Sequence, residues 1–311
     1  MDLTVKALIY GQEYTLVYNE LTGNYEAEVT APGDSSYQHN EDHYFPVIIT
    51  ATDEAGNSTT ISDTQGDFKD VLKLFVKEQI KPKIVELSPS DGSYISTSNP
   101  TISFRVLDNI NGQTSGYSGI NPDSIVLTVA GNVVDNEDIT KTPIDGGYEC
   151  AYIPFDAIED GVCSVSVKAF DYDGNESNLA EAIFTIDTVP PVLEVTSPEE
   201  GVVTNKSTIT VSGKTSDASS SPVAVQILIN DEDQGEVMVE SDGSFSKEIT
   251  LPDKGTHIIT VISVDSAGRE SYVTRTVTLK TTAPKFEFVG ISPNPVNCGK
   301  TYTISVTLVE D

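Results

Sequence analysis

Three stretches of the chain alternate apolar and polar side chains and then break at an aspartate. Val47, Ile49 and Ala51 lead to Asp53; Val165, Val167 and Ala169 lead to Asp171; Ile259, Val261 and Ser263 lead to Asp265. A period of two places every second side chain on one face, so each stretch predicts a strand with one buried face. Three residues after each Asp comes a glycine (Gly56, Gly174, Gly268), the residue that supplies a turn with free choice of φ. Another alternating run follows each time: DVLKLFVKE, EAIFTID, VTRTVTLK. The recurring phrase therefore predicts the connection between the last two strands of a repeated unit.

Other landmarks keep the same order. An aromatic residue opens the preceding strand (Tyr25, Tyr148, Phe245), and each unit passes to the next through a proline-bearing linker: QIKPKIVELSP, DTVPPVLEVTSP, TAPKFEFVGISP. Short strands, frequent turn signals and no helical period predict an all-β chain of tandem sandwiches, roughly a hundred residues each. That period is far too long for a solenoid and describes modules in series.

The segments DTVPP, SGINPDSIVLTVAG and FDYDGN resemble the bacterial immunoglobulin-like (Ig-like) domains of surface adhesins and phage tail proteins. The opening VKALIYGQEYTLVYNELTGNYEAEV is similar to Ig-like units of phage and prophage tail-associated proteins. In Ig strand letters, residues 81–187 and 188–281 read as two complete domains. Residues 1–80 read as an incomplete domain that begins at strand C and lacks strands A and B: Tyr25 follows the turn at Gly11 by 14 residues, as Phe245 follows the turn at Asp231. Residues 282–311 read as the A–B strand hairpin of a further domain. Three accounts of these ends stay open: the chain is cut from a longer one, the C-terminal hairpin packs on the domain at 188–281, or the halves complete each other. In the last, strand B (Tyr302, Ile304, Val306, Leu308) lies beside strand E (Tyr25 to Val29) of another copy, a head-to-tail contact.

Charge narrows the partners. Asp and Glu outnumber Lys and Arg by 48 to 18, a formal charge of −30, which repels nucleic acid and anionic lipid. No apolar run reaches the ~18 residues of a membrane span, and the first residues carry no secretory pattern. With 38% apolar residues in tidy alternation, the chain is not a disordered acidic polymer. Of three cysteines, Cys150 and Cys163 fall in successive strands; the odd count gives no disulfide framework, and the reading is separate buried thiols.

No nucleophile elbow, phosphate-binding glycine loop or zinc-spaced cysteine pair is legible, so the expectation is a non-enzyme. His39 and His43 flank Asp42 in SYQHNEDHY, a spacing conceivable for a transition metal and ordinary for a solvated loop. In a sandwich of this type the B–C loop, the F–G loop and the N-terminal linker gather at one pole. That brings Asp187, Asp217 and Asp265 together in one domain. In the other it gathers Asp108, Asp171, Asp173 and Asn175, with Glu78 on the linker. Calcium takes six to eight oxygens, largely carboxylates and carbonyls, and the resemblance to adhesin domains implies such an ion at the junctions. Asp and Asn are also ordinary turn residues that bond their own backbone, and both readings stand.

The resemblance implies a structural or adhesive protein of a phage virion, tail-associated or decorating its surface. Such a protein is assembled in the host cytoplasm and acts outside. Its partners would be other virion proteins or copies of itself, with a host-surface polysaccharide or protein as target. A stalk fragment of a bacterial surface adhesin and a carbohydrate-binding accessory module are the alternatives.

Overall fold

The computed structural model describes residues 3–108, 116–221 and 223–309. By compactness the chain divides into two units, Met1–Ile186 and Asp187–Asp311. Among the described residues the structure is strand and turn with three short 3-10 segments, and no helix is long and apolar enough to cross a membrane. The all-β expectation holds.

In the first unit, residues 4–74 form one sheet. Its strands are β1 (Thr4–Ile9), β2 (Gln12–Asn19), β3 (Asn24–Glu26), β4 (Phe45–Thr52) and β5 (Ser58–Ile61), in the order β3-β2-β1-β4-β5, with β6 (Lys73–Leu74) pairing β4. Residues 4–74 form no second sheet among the described residues. The strand expected from Tyr25 to Val29 is shorter and pairs elsewhere: Tyr25 sits opposite Tyr18 of β2, and Val29 lies beyond the strand. The local turn decides this, because Gly23 (φ 72°) donates its N–H to Asn19 O at 2.8 Å and closes a hairpin. The run DVLKLFVKE likewise contributes only β6, and β5 takes the place beside β4.

The rest of this unit is a complete sandwich. Its strands are β7 (Lys83–Ser88), β8 (Tyr94–Ile95), β9 (Ile102–Leu107), β10 (Val126–Val129), β11 (Asn132–Val133), β12 (Thr140–Ile144), β13 (Gly147–Tyr152), β14 (Gly161–Lys168) and β15 (Ala180–Ile186). One sheet runs β11-β10-β14-β15-β8 and the other β12-β13-β9-β7. Alternation supplies the core: Ile102, Phe104 and Val106 from β9 face Val165, Val167 and Phe184 from β14 and β15, all fully buried. Each such side chain stabilises the fold by about 1.5–3 kcal/mol relative to exposure. Cys150 and Cys163 are buried free thiols, and desolvation pushes the Cys150 thiol up to about 11.

The second unit repeats the plan. Its strands are β16 (Val192–Ser197), β17 (Val202–Thr204), β18 (Thr208–Ser216), β19 (Ala224–Ile229), β20 (Glu232–Asp233), β21 (Ser244–Thr250), β22 (Gly255–Val264) and β23 (Glu270–Leu279). They form sheets β16-β18-β21 and β17-β23-β22-β19-β20 around Val211, Ile227, Phe245, Ile259, Val261 and Val277. Two further strands, β24 (Lys285–Ser292) and β25 (Thr303–Val309), pair only with each other, as an antiparallel hairpin. Ile304, Val306 and Leu308 on β25, and Tyr302 just before it, are exposed.

The three phrases fold into the same turn. In each, the Asp N–H donates to the carbonyl four residues on (Asp53 to Asn57, Asp171 to Asn175, Asp265 to Arg269), and the Gly N–H returns to the Asp carbonyl. The glycines adopt φ of 89°, 91° and 79°, a conformation that side chains rarely take.

Candidate metal centres

In the second unit Asp187 precedes β16, Asp217 follows β18 and Asp265 follows β22, so three chain segments converge at one pole of the sandwich. Each offers one carboxylate oxygen lying within 4.8 Å of the other two. Asp187 and Asp265 are only 0% and 6% exposed. Their hydrogen bonds account for one oxygen each: Arg269 N donates to Asp265 Oδ1 at 2.8 Å and Val189 N to Asp187 Oδ1 at 3.2 Å. Oδ2 of Asp187 and Oδ2 of Asp265 are buried and accept from no protein donor. The third member is held differently. Burial alone raises the Asp217 carboxyl, but the backbone N–H groups of Ser220 and Ser219, each 2.7 Å from Oδ1, bring it below the usual carboxylate range.

The first unit holds a second cluster, made by Glu78 before β7, Asp108 after β9 and Asp171 after β14, again with one oxygen each within 4.8 Å of the others. Asp108 and Asp171 are 1% and 2% exposed. Gly119 N donates to Asp108 Oδ2 at 2.7 Å, while Asp108 Oδ1 is buried without a donor. Ser118 Oγ reaches Glu78 Oε1 at 3.4 Å, and Ile80 N donates to Glu78 Oε2. Desolvation pushes the Glu78 carboxyl up to about 7, with the neighbouring Asp171 and Asp108 carboxylates adding to the rise. Desolvation likewise raises Asp108 to about 6 against the lowering bond from Gly119. Crowded, desolvated carboxylates of this kind favour either a proton or a cation between them.

Of the residues singled out by sequence, Asp173 and Asn175 lie at this pole but serve other ends. Asp173 Oδ2 accepts the Glu78 N–H at 2.9 Å. Asn175 turns its amide nitrogen to Asp171 Oδ2 (2.7 Å) and Glu78 Oε1 (3.1 Å), which makes it a donor to the carboxylates. Ser118 and Gly119 were hidden in SGINP as turn residues. Their role comes from the loop folding back over Asp108. His39 and His43 do not converge: His43 Nδ1 lies 2.6 Å from Tyr37 O, and His39 packs on Phe45.

The donor set is all oxygen, with no Cys or His in either cluster, which suits a hard cation such as calcium rather than zinc or copper.

Residues 191–281, the sandwich of the second unit, match the family model "Glucodextranase, domain B". Over 175 residues the chain is 27% identical to Bacillopeptidase F of Bacillus subtilis (strain 168), covering 55% of this chain and 11% of that protein. Fibronectin(III)-like modules of Clostridium thermocellum CbhA align with a TM-score of 0.41 and 15% identity over 63% of this chain and 94% of theirs. A bacterial ice-binding adhesin aligns with a TM-score of 0.28 and 19% identity over 89% of this chain and 87% of its own. The two sequence matches name enzymes, and what they indicate for this chain is an accessory domain. The strand orders above make residues 83–186 and 192–279 two Ig-like β-sandwich modules in series.

Proposed function

We propose that this chain is a non-enzymatic structural or adhesive protein whose Ig-like sandwiches are stabilised by calcium at Asp187–Asp217–Asp265 and at Glu78–Asp108–Asp171. The observation that carries it is the three buried carboxylate oxygens without a donor: Asp108 Oδ1, Asp187 Oδ2 and Asp265 Oδ2. A buried carboxylate oxygen with no partner costs stability, and an ion at either cluster removes that cost. Each cluster draws its ligands from the linker, the B–C loop and the F–G turn, so an ion there ties three segments of one unit together. Native-state binding stabilises by mass action, about 2.7 kcal/mol per site at a hundredfold excess over Kd. Calorimetry of the full chain in calcium and in chelator tests this. A clear upward shift of the melting transition with calcium supports the reading, and superimposable curves sink it.

The finer part of the proposal is a place in a phage particle, tail-associated or surface-decorating, with virion proteins or further copies of the chain as partners. The resemblance of the opening 5–29 stretch and of FDYDGN supports it. Flanking genes for portal, tape-measure or baseplate proteins are the expected finding. Flanking secretion and wall-anchoring genes would replace this reading with an adhesin stalk.

A further inference from the structure

The loop SYQHNEDHY, set aside as a metal site, packs the open sheet against the sandwich within the first unit. Tyr37 stacks on Tyr172 at 4.3 Å, and Gln38 Nε2 donates to Ser118 O at 2.6 Å. The approach is close: Ser35 N donates to Gly116 O at 3.1 Å, a Cβ on Gly116 would stand 2.7 Å from the Asp34 side-chain Oδ1, and one on Gly119 would stand 2.8 Å from the Gln38 side-chain Nε2. Beside this tight contact the same surfaces separate into a cleft of about 540 Å³. That volume lies within the ~300–1,000 Å³ range of small-molecule sites.

The lining is aromatic and hydroxylic: Tyr10, Tyr117, Tyr148 and Tyr172, with His39 and Asp34. Its walls are fixed by the protein's own contacts. Tyr10, at the β1–β2 turn, donates its hydroxyl to Asp34 Oδ2 at 2.7 Å and leans on Phe45 at 4.4 Å between ring centres. Tyr148 is anchored by packing against the sandwich core. The hydroxyls of Tyr117, Tyr148 and Tyr172, and the imidazole nitrogens of His39, bond to no protein atom among the described residues. The cleft therefore presents ring faces together with several uncommitted hydrogen-bonding groups.

We propose that this cleft is a binding site for a neutral oligosaccharide. A sugar ring offers a C–H face that packs on tyrosine and a rim of hydroxyls that both donate and accept, which matches phenol, imidazole and carboxylate partners. The net charge of −30 disfavours an anionic glycan. The site is separate from the calcium reading, so either stands without the other.

The test is saturation-transfer NMR and calorimetry of the full chain, in saturating calcium, with cellotetraose, maltotetraose, chitotetraose and mannotetraose. Tetramethylammonium and a uronic-acid tetrasaccharide serve as the cationic and anionic arms. At least one neutral tetrasaccharide is expected to bind saturably. Tyr117→Ala should weaken it by about tenfold or more, about 1.4 kcal/mol. Tyr148→Phe, which keeps the ring and removes only the hydroxyl, should weaken it several-fold with an unchanged melting curve. No saturable binding by any neutral sugar, binding by the cation or anion alone, or affinity indifferent to both variants overturns the proposal.

Discussion

Asp53 and Asp265 occupy the same position of the same turn, yet their carboxylates meet different fates. Asp53 is satisfied at home. Its Oδ1 accepts from Ala55 N and Asn57 N (2.9 and 2.8 Å), its Oδ2 accepts from Asn57 Nδ2 (2.9 Å), and no acidic cluster includes it among the described residues. Those bonds, led by Asn57, hold its carboxyl below the ordinary range. Asp265 keeps the Arg269 bond but leaves Oδ2 buried beside Asp187 and Asp217. Asp171 resembles Asp265 in company and Asp53 in local bonding, since Asn175 donates to both its oxygens. The turn selects the aspartate in all three. Only where a linker carboxylate and a B–C loop carboxylate arrive beside it does the turn become a candidate ligand.

Substitution should separate these roles. With calcium present, Asp265→Asn is expected to remove most of one site's ion-dependent stabilisation, a loss on the order of 2–3 kcal/mol. Asp53→Asn should leave the calcium increment intact and lower the melting temperature only slightly, because its turn bonds are solvent-exposed. Melting curves in calcium and in chelator read both. If the two variants lose the calcium increment equally, the distinction between the turns is wrong.

Proton linkage gives the next effect. In the metal-free protein the folded Glu78 carboxyl lies near 7 against an ordinary 4.5, and Asp108 near 6 against 3.8. The folded state then holds protons that the unfolded chain has released, so both contributions are fully present below the ordinary values and fade as pH rises through the folded ones. In chelator, the first unit is expected to lose stability from about pH 4 to about pH 7, and Glu78→Gln should flatten the upper part of that slope. Asp53 has the opposite sign: its lowered pKa contributes above 3.8 and is lost on acidification. A metal-free slope unchanged by Glu78→Gln would show that this carboxylate is not the titrating group.

The smallest effect should come from asparagine. Asn175→Asp replaces a donor to Glu78 and Asp171 with another carboxylate, so calcium affinity of that cluster should rise a few-fold while metal-free stability falls. Asn57→Asp in the Asp53 turn should change calcium binding not at all. Titration calorimetry on the two variants compares them directly.

The sequence by itself determined what depends on neighbours along the chain. Alternation in β14 and β22 fixed which side chains enter the core, because a strand turns each second residue the same way and burial rewards only one face. The Asp and Gly of each phrase determined its turn, because the bonds close within five residues and only glycine takes the required φ freely. The repeat of those patterns put Asp187, Asp217 and Asp265 on the linker, the B–C loop and the F–G turn of one sandwich, which a fold of this type gathers at one pole. Tertiary structure decided the rest. It turned Asn175 from a ligand candidate into a donor, drew Ser118 and Gly119 onto the Glu78–Asp108 cluster, and paired Tyr25 with Tyr18 rather than leaving it as a strand of an opposing sheet. It also left a tyrosine-lined cleft between segments over a hundred residues apart, Tyr10 and Tyr148. Which way an amide points, and where two packed surfaces fail to close, depends on atoms brought together from distant parts of the chain, and no local pattern encodes that.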